Sequence, residues 1–259
     1  MLRLSLLLIA LPITILTSAQ AEVMPPVTTL IGAAVWLRPA YTGADSNRHS
    51  LVPVIRHYGQ PWFMRTTFGM LEGGVRTEIL AGLTLGGQLT YEGGRASSES
   101  ELLSSRNLPT LYPSLSWGAH LELEKKLGPM PIIALLRYRQ DFDINRGEQT
   151  DFRLTAGIFK GGGLTAGVFA QTTWANKKSA NYYYGITAQQ ATSSGLAAFD
   201  AHSGELFNAY GLLWSYNLNP QWMLLGSLES RQVRDAVISS PLVQQSSNRY
   251  ASLGLAYQF

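Results

Sequence analysis

Apolar residues recur at every second position over long segments of this 259-residue chain. In "SLSWGAHLELEKK", residues 114–126, the odd positions from 115 to 123 are Leu, Trp, Ala, Leu and Leu, and the even positions from 116 to 124 are small or polar. Segments 77–91 and 163–174 follow the same pattern. Successive side chains of a β-strand point to opposite faces, so this alternation predicts strands with one apolar face. Segments of about ten residues are long enough to cross a bilayer at a tilt, whereas strands of soluble proteins usually have about 5–6.

The final segment, "YASLGLAYQF", has the same alternation and stops on an aromatic residue. Its apolar face would carry five residues, namely Ala251, Leu253, Leu255, Tyr257 and Phe259. We predict that this face contacts lipid. The pattern also resembles the C-terminal signal by which the barrel-assembly machinery recognises its substrates, which makes that machinery an expected partner.

The composition supports a membrane environment and excludes several other classes. Charged residues make up 14% of the chain, against roughly 25% in soluble globular proteins. The formal net charge of +3 is too small and too scattered to predict nucleic-acid binding. The chain has no cysteine, which excludes disulfides and thiolate chemistry.

The N-terminal residues have the pattern of a secretory signal. Arg3 precedes an uncharged apolar stretch, and Ala19 and Ala21 flank Gln20 as in a signal-peptidase site. A transmembrane anchor is the alternative, but Pro12 and the Ala-Gln-Ala ending favour cleavage. We therefore predict a cleaved signal peptide at 1–21 and a barrel domain at 22–259, located in the bacterial outer membrane in contact with its lipid and lipopolysaccharide.

The connections between the candidate strands are of two kinds. Tight Gly-, Pro- and Asn-containing stretches lie at 125–130, 160–163 and 217–220, and long polar stretches lie at 92–113, 141–150, 175–205 and 232–247. This layout predicts an all-β fold, a transmembrane antiparallel up-and-down β-barrel with short periplasmic turns and long extracellular loops. Eleven candidate strands are visible: 29–38, 51–58, 61–70, 76–91, 114–126, 130–140, 151–159, 163–174, 207–217, 221–231 and 248–259. Bacterial barrels have an even number of strands, so we predict twelve, with ten as the alternative. The miscounted strand lies before residue 91.

The tryptophans are distributed as expected for a membrane barrel. Trp36, Trp62, Trp117, Trp174 and Trp222 lie near the ends of candidate strands, where interfacial aromatic girdles form. Trp214 lies nearer the middle of its strand and does not fit this pattern.

A search for catalytic and metal-binding patterns identifies no convincing site. The four histidines lack the spacing of metal ligands. Asp200, His202 and Ser203 have the side chains of an acid, a base and a nucleophile, but one loop segment is weak evidence for catalysis. We predict a polar surface loop there, no catalytic, cofactor-binding or metal-binding residues, and a protein that is not an enzyme.

Two pairs of cations have alternative interpretations. Arg137 and Arg139 share one face of a strand, and they predict either a basic lumen with anion preference or an internal salt-bridge lattice. We favour the lattice, because unpaired charge inside a narrow barrel is costly, with Glu122, Glu124, Asp151 or Glu229 as partners. Lys177 and Lys178 lie in the longest loop and either contact lipopolysaccharide phosphates or are simply solvated.

Three stretches of the chain resemble the MipA/OmpV family of outer-membrane proteins. They are 38–59, with its Pro-x-Tyr-x-Gly-x-Asp element, 181–205, with Tyr-Gly-Ile-Thr, Ser-Gly-Leu and Phe-Asp, and 235–259, with Ser-Pro-Leu-Val before the last strand. The residues that carry the resemblance in the first two stretches are Tyr41, Gly43, Asp45, Tyr184, Gly185, Thr187, Ser194, Gly195, Leu196, Phe199 and Asp200. We refer to these eleven residues as the family-motif residues.

The resemblance implies a barrel that acts as a scaffold. The name-giving member of the family binds a lytic transglycosylase and a penicillin-binding protein, linking murein cleavage to murein synthesis. Other members are described as porin-like proteins or adhesins, so a channel for small solutes and adhesion through the loop at 181–205 are the alternatives. The resemblance brings no catalytic residue and no cofactor. Whether that loop folds outward or plugs the barrel is left open by the sequence.

Overall fold

The computed structural model describes residues 29–67 and 69–259. The predicted signal peptide at 1–21 lies outside the described residues. The described chain forms a closed antiparallel barrel in which each strand pairs with the next and β1 pairs with β12. The twelve strands are β1 Thr29–Pro39, β2 Asn47–Tyr58, β3 Trp62–Thr67, β4 Met70–Leu80, β5 Leu83–Glu92, β6 Ser114–Leu127, β7 Met130–Asp141, β8 Glu148–Gly161, β9 Leu164–Ala175, β10 Gly204–Asn217, β11 Trp222–Val233 and β12 Ser247–Gln258. The prediction of twelve strands in an up-and-down barrel is confirmed.

Helical structure is confined to two of the connections. A 3-10 turn at Ser97–Glu99 and helix α1 at Glu101–Ser105 follow β5, and helices α2 at Lys177–Tyr184 and α3 at Ala188–Ser194 follow β9. None of the described helices has both the length and the apolar character needed to span a membrane.

The two faces of the barrel wall follow the alternation seen in the sequence. Leu115, Trp117 and Leu121 of β6 are exposed on the outside, whereas Ser116 and His120 are buried in the lumen. The same division holds on β12, where Leu253 and Leu255 are exposed and Tyr250 is buried. An apolar outer wall and a polar interior are the arrangement that suits a strand between lipid and lumen.

The predicted strand at 76–91 is wrong, because it contains a turn. Ala81 and Gly82 connect β4 to β5, and Gly82 has a φ of +77°, which a glycine adopts without steric cost. The register places Thr77 opposite Leu85 and shifts by a bulge between Glu78 and Leu80. Odd-numbered residues face outward on β5 and on β4 as far as the bulge, so the alternation has the same phase on both sides of the turn although Leu80 departs from it. This turn supplies the twelfth strand.

The tryptophan prediction holds for four of its five residues. Trp62, Trp117, Trp174 and Trp222 are exposed near the ends of their strands. The prediction is wrong for Trp36, which lies on the lumen-facing side of β1 and stacks on Tyr250 of β12 at a centroid distance of 6.1 Å.

The connections divide between the two ends of the barrel. At one end, which we call the turn end, the connections are 59–61, 81–82, 128–129, 162–163 and 218–221. At the other, the loop end, the long connections are 40–46, 93–113, 142–147, 176–203 and 234–246. The predicted division into short turns and long loops at opposite ends is confirmed, and the assignment of the turn end to the periplasm stays a prediction.

Within the described residues, strand β2 is paired on one side only over most of its length. Its ladder with β1 runs from His57 to Asn47, but its ladder with β3 is restricted to Arg56–Tyr58. The backbone N–H of Ile55 points towards β3 and donates to Thr66 Oγ1 at 3.2 Å. Backbone groups alternate along a strand, so the N–H of residue 53 would point the same way, but residue 53 is proline and has none. We call residues 47–54 the β2 edge.

Candidate functional site

A network of buried ions crosses the lumen around Arg137. Its Nε and Nη2 donate to Asp151 Oδ2 at 2.9 and 2.7 Å, and its Nη1 donates to Glu72 Oε1. Arg65 Nε also donates to Glu72, at 2.7 Å. The exposed fraction of these four residues ranges from 0% for Glu72 to 7% for Arg65. Buried charges are tolerated only when they are paired and hydrogen-bonded, and here each ion has such a partner.

Further side chains extend this network towards the loop end and around the wall. Arg139 lies 3.3 Å from Asp151 and 3.6 Å from Glu92, and Arg65 lies 3.1 Å from Glu122. The remaining hydrogen bonds come from Thr173 to Asp151 at 2.7 Å, from Gln88 to Glu72 at 3.3 Å, and between His120 and Gln88 at 2.5 Å. We call this set the lumen network. It is the salt-bridge lattice predicted for Arg137 and Arg139, but of the predicted partners only Asp151 pairs with these two arginines in the described chain, since Glu122 pairs with Arg65 and Glu229 with Arg231. Glu72 and Glu92 are partners that the sequence did not identify.

The lumen network fills the barrel at its level. A water-filled channel exposes the side chains of its wall, yet Glu72, Thr90 and Thr173 have no exposed surface here. On the opposite wall, Arg231 pairs with Glu229 at 2.7 Å and lies over the ring of Tyr250 at 4.4 Å. Polar and aromatic side chains from both walls therefore occupy the interior.

The long loops pack together into a structured unit above the loop end. We call the connections 40–46, 93–113, 176–203 and 234–246 the loop cap. It has two buried apolar clusters. The first contains Ala175, Ala180, Tyr184, Ala201, Leu206, Val233, Ala236 and Val237, and the second contains Ala40, Tyr41, Ala44, Leu103, Leu108, Ile186 and Leu242. Each cluster joins residues from distant loops, so the cap has its own core.

Family-motif residues from the first two stretches meet inside this cap. Tyr184 Oη donates to the carbonyl of Thr42 at 3.0 Å, and Tyr41 Oη donates to the carbonyl of Leu242 at 2.9 Å. The backbone N–H of Gly43 donates to Asn248 Oδ1 at 2.5 Å. Burial raises the pKa of the Tyr41 and Tyr184 phenols above their ordinary value, so both remain neutral donors at physiological pH.

Other family-motif residues shape the loop at 176–203. Thr187 caps α3, because its Oγ1 accepts from the Gln190 N–H at 3.2 Å while Gln190 Oε1 accepts from the Thr187 N–H at 2.9 Å. Gly195 ends α3 with a φ of +71°. Gly185 caps the end of α2, and the Ser194 hydroxyl accepts from the Leu196 N–H at 3.2 Å. Asp45, which belongs to the connection 40–46, is exposed. The loop at 176–203 lies across the loop end of the barrel, where Tyr183 Oη donates to Glu92 at 3.2 Å.

The three residues considered as a catalytic set have other partners. Asp200 accepts from Lys177 Nζ at 2.6 Å and from Asn181 Nδ2 at 3.0 Å, and the Lys177 hydrogen bond lowers the pKa of the Asp200 carboxyl. His202 Nδ1 is bonded to the carbonyl of Ser203 at 2.9 Å. The Asp200 carboxylate therefore joins the two ends of the loop at 176–203. In the described part of the chain, no group of three or more His, Asp or Glu side chains is arranged to hold a metal ion.

A cleft of about 690 Å³ opens in the loop cap between the loops at 93–113 and 176–203. Its lining includes the family-motif residues Gly185, Thr187, Phe199 and Asp200. Arg95 also lines it, with its Nη1 donating to the carbonyl of Tyr183 at 2.9 Å and its guanidinium 4.9 Å from the ring centroid of Tyr41. The sequence did not identify Arg95 as a site residue, because it lies outside the three stretches that carry the family resemblance.

Together these features define a class of protein: an outer-membrane β-barrel of twelve strands with a filled lumen and a structured cap of loops. Residues 31–259 match the family model described as "MltA-interacting protein MipA". The chain belongs to this family, and the resemblance found in the sequence is confirmed.

Individual relatives share shorter stretches. The chain is 28% identical over 102 residues to the MltA-interacting protein of Escherichia coli (strain K12), and it is equally similar to that of Shigella flexneri. The match covers 39% of this chain and 40% of each relative, less than half of their length. Among solved structures, LpxR from Salmonella typhimurium superposes with a TM-score of 0.50 at 9% identity, covering 88% of this chain and 100% of that one. At this identity the likeness concerns the fold alone.

Proposed function

We propose that this protein is a non-enzymatic scaffold of the outer membrane that holds a lytic transglycosylase, and through it a penicillin-binding protein, at its periplasmic face. The observation that carries the proposal is the lumen filled at the level of the lumen network, because a barrel blocked there has its outer surfaces available for binding a partner. The name of its relatives, MltA-interacting protein, supports a partner of this kind.

The lumen also disfavours the channel alternative. A channel needs room for water beside small inward-facing residues, for which the sequence offers Gly82, Thr84, Gly86, Ser116 and Gly118. A side chain at Gly86 would collide with the ring of His120, so the space beside this glycine is taken by a neighbouring side chain. His120 itself is 2% exposed and bonded to Gln88.

The turn end is the face where we place the partner. Lys125 and Lys126 are exposed beside the turn at 128–129, and Lys125 Nζ donates to the carbonyl of Ala81 in the neighbouring turn at 2.9 Å. Leu80 and Leu218 are exposed at the turn end as well. Cations beside apolar groups on short, rigid turns offer a protein partner both charge and contact area.

The chain offers a matched pair of lysines for the test. Lys125 and Lys126 lie at the turn end, and Lys177 and Lys178 lie in the loop cap. The tagged full-length protein, its K125Q/K126Q variant and its K177Q/K178Q variant are recovered from native envelopes in mild detergent, and co-purified proteins are identified by mass spectrometry.

We expect a lytic transglycosylase to co-purify with the wild type and with K177Q/K178Q, and to be largely lost from K125Q/K126Q. Full retention by K125Q/K126Q with loss from K177Q/K178Q would show that the partner binds the opposite face. Recovery of the wild-type barrel without any murein enzyme would contradict the scaffold proposal.

A further inference from the structure

Arg95 differs from four arginines of the lumen in having no carboxylate partner within the described chain. Arg65, Arg137, Arg139 and Arg231 each have a carboxylate within 4.0 Å. Among the residues that the structure describes, no carboxylate lies within that distance of Arg95, although Arg95 is only 8% exposed. Its Nε is buried and makes no hydrogen bond within the described chain. A buried cation without a counter-ion is costly, and a bound anion would remove that cost.

The cleft beside Arg95 has the size and lining of a small-molecule site. Its volume of about 690 Å³ falls within the range of roughly 300–1,000 Å³ that is usual for such sites. Leu108, Ile186 and Phe199 give it an apolar floor, and Tyr182 adds a second aromatic ring. Ligand sites in proteins combine a surface of this kind with a few polar groups that fix orientation.

The polar groups of the cleft suit a ligand rich in hydroxyls. Thr187 and Gln190 use one acceptor oxygen each in the cap of α3, which leaves the Thr187 hydroxyl hydrogen and the Gln190 NH₂ group as donors. Asp200 lies on the same lining and is neutralised by Lys177 at 2.6 Å, so it can accept hydrogen bonds without repelling an anion strongly. Arg95 then supplies the charge that an acidic group needs.

We propose that this cleft binds an anionic saccharide, a sugar carrying a phosphate or a carboxylate, with the acidic group on Arg95 and the ring against Phe199 and Tyr182. The site is separate from the turn end and does not depend on the scaffold role. The same chemistry has two sources at the cell surface, a sugar attached to lipopolysaccharide and a free sugar.

The experiment uses the full chain, folded in detergent and free of lipopolysaccharide. Binding of glucose 1-phosphate and of glucuronate is measured by titration calorimetry, with glucose and inorganic phosphate as reference probes. Three variants are compared with the wild type: R95Q removes the charge, A188W fills the cleft from another position on its lining, and R106Q is the control. Arg106 belongs to the same loop, donates to the carbonyl of Ser194 at 3.1 Å and does not line the cleft. Heat-modifiable mobility in electrophoresis checks that each barrel is folded.

We expect R95Q and A188W to weaken binding of both acidic sugars by at least about tenfold, because a charge-assisted hydrogen bond is lost or the cleft is occupied, and R106Q to leave it unchanged. Glucose should bind at least about tenfold more weakly than its phosphate. Equal binding by folded A188W and wild type, or equal affinity for inorganic phosphate and glucose 1-phosphate, would overturn the proposal.

A second arm separates the two sources of the ligand. Lipopolysaccharide that retains its core phosphates, and the same material after dephosphorylation, are added as competitors of glucose 1-phosphate. Competition by the phosphorylated form alone supports a site for the membrane-bound saccharide. Failure of both to compete, with binding of the free sugar intact, supports a site for soluble acidic sugars.

Discussion

Arg137 and Asp151 lie directly opposite each other on β7 and β8 and are joined by two hydrogen bonds of 2.9 and 2.7 Å. Each is 1% exposed. A shift of the β7–β8 register by one residue would turn one of them towards lipid and leave the other unpaired in the lumen. This pair therefore stabilises one register of the wall as well as the packing of the interior.

Replacing Asp151 with asparagine should destabilise the barrel strongly. Glu92, at 3.6 Å, would be the remaining carboxylate partner of Arg139 in the described chain, and Glu72 that of Arg137. Breaking a buried ion pair costs about 3–5 kcal/mol, so the free energy of unfolding, measured by urea titration in detergent, should fall by about that amount. D143N changes an exposed aspartate of the loop at 142–147 and should have little effect. A loss of under about 1 kcal/mol for D151N would show that the network adapts to the change.

The wild-type barrel should give no current steps in a planar lipid bilayer. The lumen network excludes water at its level, and ions need a hydrated path through a pore. A porin of known conductance, inserted in the same membrane, serves as the positive control. Regular single-channel steps from the purified protein would contradict a filled lumen and restore the channel alternative.

Replacing Asn248 with alanine should release the loop at 40–46 while the barrel remains folded. The Asn248 side chain accepts from the Gly43 N–H at 2.5 Å and donates to the carbonyl of Ala44 at 2.8 Å, and the residue is 4% exposed. Losing these bonds costs about 1–3 kcal/mol locally, so proteases should cut within 40–46 more readily. N145A alters an exposed loop asparagine and should leave the digestion pattern of 40–46 unchanged. Equal protection in N248A and wild type would mean that the apolar cluster alone holds this loop.

The loop cap should loosen at alkaline pH. Burial raises the pKa of the Tyr41 and Tyr184 phenols in the folded protein, whereas in the unfolded chain they titrate near about 10. The folded state then binds more protons than the unfolded state. The stabilisation is therefore complete below about pH 10 and is lost as the pH rises through the pKa values of the folded protein. The absorbance of tyrosinate is followed in a pH titration of the wild type and of Y184F. The difference between the two curves should have its midpoint above the ordinary pKa of tyrosine. A difference centred near about pH 10 would contradict the burial of this phenol.

Replacing Pro53 with threonine should promote self-association. The substitution adds an N–H at a point of the β2 edge that faces no partner strand, and unpaired edges recruit other strands. Chemical crosslinking in detergent should reveal more dimer for P53T than for wild type. V52T introduces threonine at the adjacent position, where the backbone N–H and C=O point towards β1. It should leave the oligomeric state unchanged. Equal crosslinking of P53T and V52T would mean that the proline does not protect this edge.

The wall of this barrel could be predicted from sequence because lipid imposes a simple rule on every second residue. Leu115, Leu121 and Leu253 alternate with smaller or polar neighbours, and the structure exposes all three. The turn at 81–82 was missed because Leu85 and Thr77 face the same side, which hides the turn from any test of periodicity.

The candidate site was less accessible to the same method. Glu72 and Arg137 are 65 positions apart and meet only because β4 and β7 curve around one lumen. Arg95 could not be identified from the sequence, because it belongs to no motif and is distinguished only by its burial and its neighbours in the folded loop cap. Family-motif residues such as Tyr184 were found through the resemblance, and their contacts with Thr42 and Ser240 required the folded loops.

The uneven pairing of β2 gives this barrel an uneven elasticity. The β1–β12 ladder extends from Leu30 to Leu37, whereas β2 is joined to β3 only beside the turn at 59–61. We therefore expect the wall to deform more readily at the β2 edge, near the loop end, than around the rest of its circumference, because fewer interstrand hydrogen bonds hold it there. Changes in bilayer thickness or lateral pressure would be absorbed there, which would spare the lumen network and the loop cap from distortion.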